Sequence, residues 1–167
     1  MFKGYRLFNI ILVTGPQRSG TRIAARCIAA DTGHQYIDEQ EFGVHDKARF
    51  DALIATRKNV VIQCPGMAHI IQSYGARDDV LIIFMLRELH EIQASEERID
   101  WQGNSHELGK YKQKEGRAAT FKYAYWLTHQ RRKIKSWREI DYATLVGHPL
   151  WVASENRTGF AADQWRR

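Results

Sequence analysis

The chain reads as an α/β protein on a mainly parallel sheet, and three observations predict this. Apolar runs rich in β-branched residues at 7–13, 59–64 and 79–86 have the unbroken hydrophobicity of strands covered on both faces. Segments with helical spacing lie between them, and strand–helix alternation implies right-handed crossovers between parallel neighbours. A glycine loop joins the first strand to the first helix, at the carboxyl edge where ligands bind in such sheets.

In chain order, residues 7–13 form the first strand, 15–22 (GPQRSGTR) the loop, and 23–30 a helix that Gly33 caps. A short strand is expected at 34–38, an acidic turn at 39–41, and an amphipathic helix at 46–57 with Ala48, Phe50, Leu53 and Ile54 on one face. The strand at 59–64 is broken by Pro65-Gly66 and followed by a short helix at 67–74. The strand at 79–86 delivers Arg87 to its carboxyl end, and a helix at 88–99 turns Leu89, Ile92 and Ala94 inward. Residues 100–116, polar and punctuated by glycine, are a loop of lid length in which Lys110, Lys112 and Lys114 surround Tyr111. A helix at 117–135 places Ala118, Phe121, Tyr125, Leu127 and Ile134 toward the core and ends on a basic run. Extended pieces at 139–142 and 150–153 flank Gly147-His148-Pro149, ahead of a tail containing Arg157-Thr158-Gly159. Trp101 and Trp126 suit a core position or a ligand platform equally well.

A length of 167 residues, with no repeat or linker, suggests one domain spanning 1–167. The net charge of +6 points to an anionic partner, and charge alone does not choose among nucleotide, sulfated sugar, nucleic acid and acidic lipid. Cys27 and Cys64 fall in apolar elements without metal-ligand spacing, which suits reduced core cysteines in a cytoplasmic protein. The first apolar run is short and lacks a cleavage site, so it reads as a strand rather than a signal peptide. No run approaches the roughly 20 apolar residues of a membrane span, and no membrane partner is expected.

A strand–glycine loop–helix unit directs backbone N–H groups and a helix N-terminus at one point, which favours an anion there. The loop departs from GxxxxGK[ST]: Thr21 stands in place of the Lys and Arg22 in place of the metal-binding hydroxyl. Its cation precedes the glycine instead, as Arg18. At the end of the third long strand, Arg87 is followed eight residues later by Ser95, which brings a planar donor fork and a hydroxyl to the same edge.

Arg18-Ser19-Gly20-Thr21 resembles the 5′-phosphosulfate loop of sulfotransferases that use 3′-phosphoadenosine 5′-phosphosulfate (PAPS). VLIIFMLRELHEIQAS is similar to that family's 3′-phosphate segment, and EIDYATLVGHP to its Tyr-acid-x-Leu stretch followed by Pro. Arg157-Thr158-Gly159 resembles its C-terminal Arg-Lys-Gly loop. The resemblance implies a three-layer, P-loop-NTPase-like sandwich and a metal-free transfer of a sulfuryl group from PAPS to a hydroxyl or amine of a small-molecule or carbohydrate acceptor. It assigns Arg18 to the transferring group and the bridging oxygen, and Ser19, Gly20, Thr21 and Arg22 to the 5′-phosphate. Arg87 and Ser95, with Arg157 and Gly159, would hold the 3′-phosphate, and Tyr142 would lie near the adenine. A chain of this length leaves little room for a deep acceptor pocket, so a second protomer is a candidate to complete one.

Two departures matter. Ile23 stands where many members carry an adenine-stacking Trp, and Ile62-Gln63-Cys64-Pro65 lacks the Lys-Thr-His that supplies their base. His69 has the right unperturbed chemistry for that role, with Glu39 and Glu41 as competitors. Two other functions compete with sulfuryl transfer. DTGHQYIDEQEF is similar to the segment after the loop in shikimate- and nucleoside-monophosphate-type kinases, so a P-loop small-metabolite kinase using ATP is one. A non-enzymatic, basic nucleic-acid-binding protein on a degenerate nucleotide fold is the other; nucleic acid is otherwise not the expected partner.

Overall fold

Strands β1 (Ile10–Thr14), β2 (Gln35–Ile37), β3 (Val60–Gln63), β4 (Val80–Leu86) and β5 (Trp137–Asp141) form one sheet in the order 2-3-1-4-5. Every neighbouring pair is parallel. The structure, a computed structural model, describes residues 1–97 and 117–151. The expected loop at 100–116, with Trp101 and its lysines, and the tail with Arg157 and Gly159 lie outside the described residues.

Side chains of β1 alternate between two cores. Ile10 and Leu12 join Phe50 and Ile54 of α3 (Lys47–Thr56), together with Trp126 and Ile134. Ile11 and Val13 join Ala24, Ala25, Cys27 and Ile28 of α1 (Thr21–Thr32), together with Leu145. A strand with apolar residues on both faces requires such a covered sheet, and β1 from Ile10 to Val13 is fully buried. Gly33 caps α1 in the left-handed conformation, as its position predicts. Cys27 and Cys64 are buried free thiols, and no helix among the described residues is long and apolar enough to cross a membrane.

Several elements differ from expectation. Leu7 belongs to a 3₁₀ turn (Lys3–Leu7) and is 84% exposed, so the strand begins only at Ile10, after Asn9 reaches Asp79. The expected acidic turn is a short helix, α2 (Glu39–Phe42). Asp38 caps Gln40 N–H at 3.1 Å, while Glu41 accepts from Asp38 N–H at 2.9 Å. Residues 67–74 resolve into two 3₁₀ turns, Pro65–Met67 and Ile71–Tyr74, because paired β-branched isoleucines and Gly66 support a longer helix poorly. In α3, Ala48 is exposed. In α4 (Leu89–Glu97), Ile92 is buried as expected, but Ser95 and Glu96 turn inward in place of Leu89 and Ala94.

Helix α5 (Arg117–Tyr125) runs into a π-helical turn (Trp126–Gln130) and a 3₁₀ turn (Arg131–Lys133). Its inward residues are Ala119, Trp126 and Gln130, whereas Phe121 is 70% and Leu127 43% exposed. The wide π turn shifts the phase that regular helical spacing assumes. Trp126 is core, stacked on Phe84 with ring centroids 4.4 Å apart, and Ile134 is buried as expected. Beyond β5, Tyr142–Gly147 forms a 3₁₀ turn, and Leu150 and Trp151 form no strand.

Candidate functional site

Because β1, β3 and β4 are parallel, their carboxyl ends deliver the glycine loop, Pro65-Gly66 and Arg87 to one edge of the sheet. The loop turns tightly: Ser19 N–H and its hydroxyl both donate to Pro16 O, at 3.2 and 2.7 Å. Arg18 adopts φ 65°, a left-handed conformation that costs energy for any residue but glycine, and such strain persists where surrounding contacts hold it. Two of those contacts come from predicted site residues. Arg18 Nε donates to Ser95 Oγ at 3.1 Å, and Arg87 Nη1 donates to Arg18 O at 2.9 Å. Arg87 also pairs with Glu91, and its guanidinium lies 4.1 Å from the Tyr142 ring centroid.

Tyr142 is the roof of the loop. Gly20 has φ +91°, and a Cβ there would stand 2.4 Å from Tyr142 Cδ2. Trp151 meets Tyr142 edge-on with ring centroids 4.8 Å apart, and Ile23 packs on the same core without offering an aromatic face. Arg18, Ser19, Gly20, Thr21, Arg87, Ser95 and Tyr142 therefore form one cluster. Glu96, buried beside Ser95, was not anticipated; burial raises its carboxyl pKa, and the Arg18 charge opposes that shift.

On the β3 side, Gln63 Nε2 donates to Thr21 Oγ1 at 3.3 Å and faces Glu39 Oε1 at 3.5 Å. Glu39 Oε2 accepts the Gly66 N–H at 3.0 Å. Burial pushes the Glu39 carboxyl pKa above its ordinary value, with the Gly66 and Gln63 hydrogen bonds opposing. Glu41 is occupied in the cap of α2, and His69 is exposed, its Nδ1 against Gly66 O at 3.2 Å. Of the three acids and bases proposed from the sequence, Glu39 is the one that is half-buried at this edge and bonded to both Gly66 and Gln63.

Arg22 turns away from the loop to Asp38, with Nε 2.9 Å from Oδ2 and Nη2 3.2 Å from Oδ1. Tyr36 OH also donates to that carboxylate, at 2.7 Å, beside the Gln40 N–H that it caps. Kinase-type loops hold Mg²⁺ through a hydroxyl at the Arg22 position. The residues present do not fit that ion, since a guanidinium occupies the place and is bonded to the neighbouring carboxylate. Among the described residues no cluster of three His, Cys, Asp or Glu could hold a metal.

No family model matches the sequence, and no curated protein matches it. Solved structures do. Shikimate kinase from Acinetobacter baumannii in complex with shikimate aligns over 84% of this chain and 88% of its own, at 12% identity and a TM-score of 0.54. Shikimate kinase from Bacteroides thetaiotaomicron aligns over 78% and 86%, at 17% identity and a TM-score of 0.52. At such identities the likeness is one of fold. The chain has the α/β, P-loop-NTPase-like architecture of these kinases, and these matches stand nearer the kinase alternative than the sulfotransferase resemblance.

Proposed function

We propose that the loop binds a phosphorylated adenine nucleotide and that the chain transfers the group carried on its 5′-phosphate, with sulfuryl transfer from PAPS as the reaction. One observation carries this reading: Arg18, Ser95, Arg87 and Tyr142, drawn from three distant stretches, meet at a loop whose kinase positions hold Thr21 and a paired Arg22. Donors in that cluster suit two phosphates and a sulfuryl group without a divalent ion.

In the proposed step an acceptor oxygen forms a bond to sulfur as the bond from sulfur to the 5′-phosphate oxygen breaks. The electron pair leaves on the phosphate, beside Arg18, and the acceptor proton passes to the Glu39 carboxylate. Such a loose, in-line transfer depends on positioning and electrostatic clamping. Radiolabelled PAPS offered with sugars, phenols, amines and peptides tests it. Label should reach one acceptor class, and Arg18→Ala should lower turnover by about 10²–10³ while the protein stays folded.

The second reading is a small-metabolite kinase, favoured by the shared fold with shikimate kinases and by the Asp38-containing segment after β2. It predicts stabilisation by ATP–Mg²⁺ and phosphate transfer, with PAPS inert.

A further inference from the structure

A transferring anion needs positive charge on both sides, and the loop carries its cation on one. Arg18 leans to the β4 side, bonded to Ser95. At the lysine position of a kinase loop, Thr21 receives Gln63. On the β3 side the ammonium comes from elsewhere: Lys122 of α5 donates to Gln17 Oε1 in the loop and to Pro65 O, 3.2 Å away, at the end of β3.

Its placement is rigidly set. The next residue, Tyr123, donates to Arg87 O at 2.7 Å and accepts from Arg87 N–H at 2.9 Å, pinning α5 to the end of β4. One helical turn on from Lys122, Trp126 anchors the same run of helix in the core. One helix thus ties the loop, the β3 end and the β4 end together, with its ammonium held between Gln17 of the loop and Pro65, next to the Gly66 whose N–H Glu39 accepts.

We infer that Lys122 supplies from α5 the charge absent from position 21, contacting the transferring group from the acceptor side. This rests on the sulfuryl-transfer reading. As the acceptor oxygen bonds to sulfur and the bond from sulfur to the bridging 5′-phosphate oxygen breaks, Lys122 neutralises the equatorial oxygens, Arg18 neutralises the departing phosphate oxygen, and Glu39 takes the acceptor proton. Lys122 neither gains nor loses a proton in the step.

The test compares PAPS with adenosine 3′,5′-bisphosphate, which lacks the sulfuryl group, in titration calorimetry on wild type, Lys122→Met, Lys122→Gln and Lys122→Arg. Lys122→Met should bind the bisphosphate as wild type does, yet lose about tenfold in PAPS affinity and about a hundredfold in PAPS turnover. Lys122→Arg should recover most of both, and Lys122→Gln decides the matter if Lys122→Met melts early. Equal loss of affinity for both ligands, or no loss for either, overturns the inference. A wild-type chain that binds neither ligand overturns the sulfuryl-transfer reading itself, a distinct outcome.

Discussion

Alanine in place of Gly20 meets two obstacles, and they can be separated. The backbone sits at φ +91°, which an L side chain adopts at a cost of about 1–2 kcal/mol. The new methyl would also stand 2.4 and 2.6 Å from Tyr142 Cδ2 and Cε2, and displacing a packed ring typically costs about 1–3 kcal/mol. The ring has little freedom to yield, with Arg87 over its face and Trp151 against its edge. Gly20→Ala should therefore destabilise the wild type by about 2–5 kcal/mol, but a Tyr142→Ala background by only the backbone share of about 1–2 kcal/mol. Urea unfolding of all four members of the cycle, with m-values compared, measures the difference as a coupling energy. A coupling indistinguishable from zero would mean that Tyr142 does not cover the loop, and the proposed adenine side of the site would lose its roof.

Two further perturbations follow from the edge chemistry. Arg22→Met strips a half-buried carboxylate of its paired donors and should cost about 1–3 kcal/mol in denaturant unfolding, with Asp38→Asn in the same chain recovering part of it. Equal melts for Arg22→Met and wild type would show that the pair does not form in solution. Glu39 has a raised folded pKa, so the folded state holds its proton more tightly than the unfolded chain. Stability from this group accordingly declines as pH rises from the ordinary carboxylate range through the raised pKa. Glu39→Gln should flatten that slope in a Tm-versus-pH series and melt higher than wild type near neutrality. In the transfer assay it should lose the rise of rate with pH that a carboxylate base gives. An unchanged slope would remove Glu39 as the source.

The fold was legible because its strongest signals are those burial enforces. β1 and β4 are apolar on both faces, and only a sheet covered on both sides accommodates that. The Arg87–Ser95 interval was equally legible, since the end of a strand and two turns of helix fix where both side chains emerge. Phase within α5 was not. Phe121, Tyr123, Tyr125 and Trp126 leave the inward face ambiguous, and the π turn at Trp126–Gln130 breaks the regular spacing that the assignment of Leu127 relied on. α2 left a sequence signature, Asp38 three residues before Glu41, which identifies a helix start and withdraws Glu41 from chemistry. Lys122 left none. A single lysine on a helix looks solvated, and its partners lie 105 and 57 residues away in sequence. The Arg22–Asp38 pair was hidden for a similar reason, since nothing local shows that a loop arginine turns toward the next strand.

At the centre of the proposed function is a nucleotide site that works without a divalent ion. Titration calorimetry of the chain with adenosine 3′,5′-bisphosphate in EDTA, repeated with Arg87→Ala, addresses it directly. Saturable binding that survives EDTA and is lost in the variant is the predicted result. Heat from ATP only when Mg²⁺ is present, with none from the bisphosphate, would contradict it and return the chain to the kinases whose fold it shares.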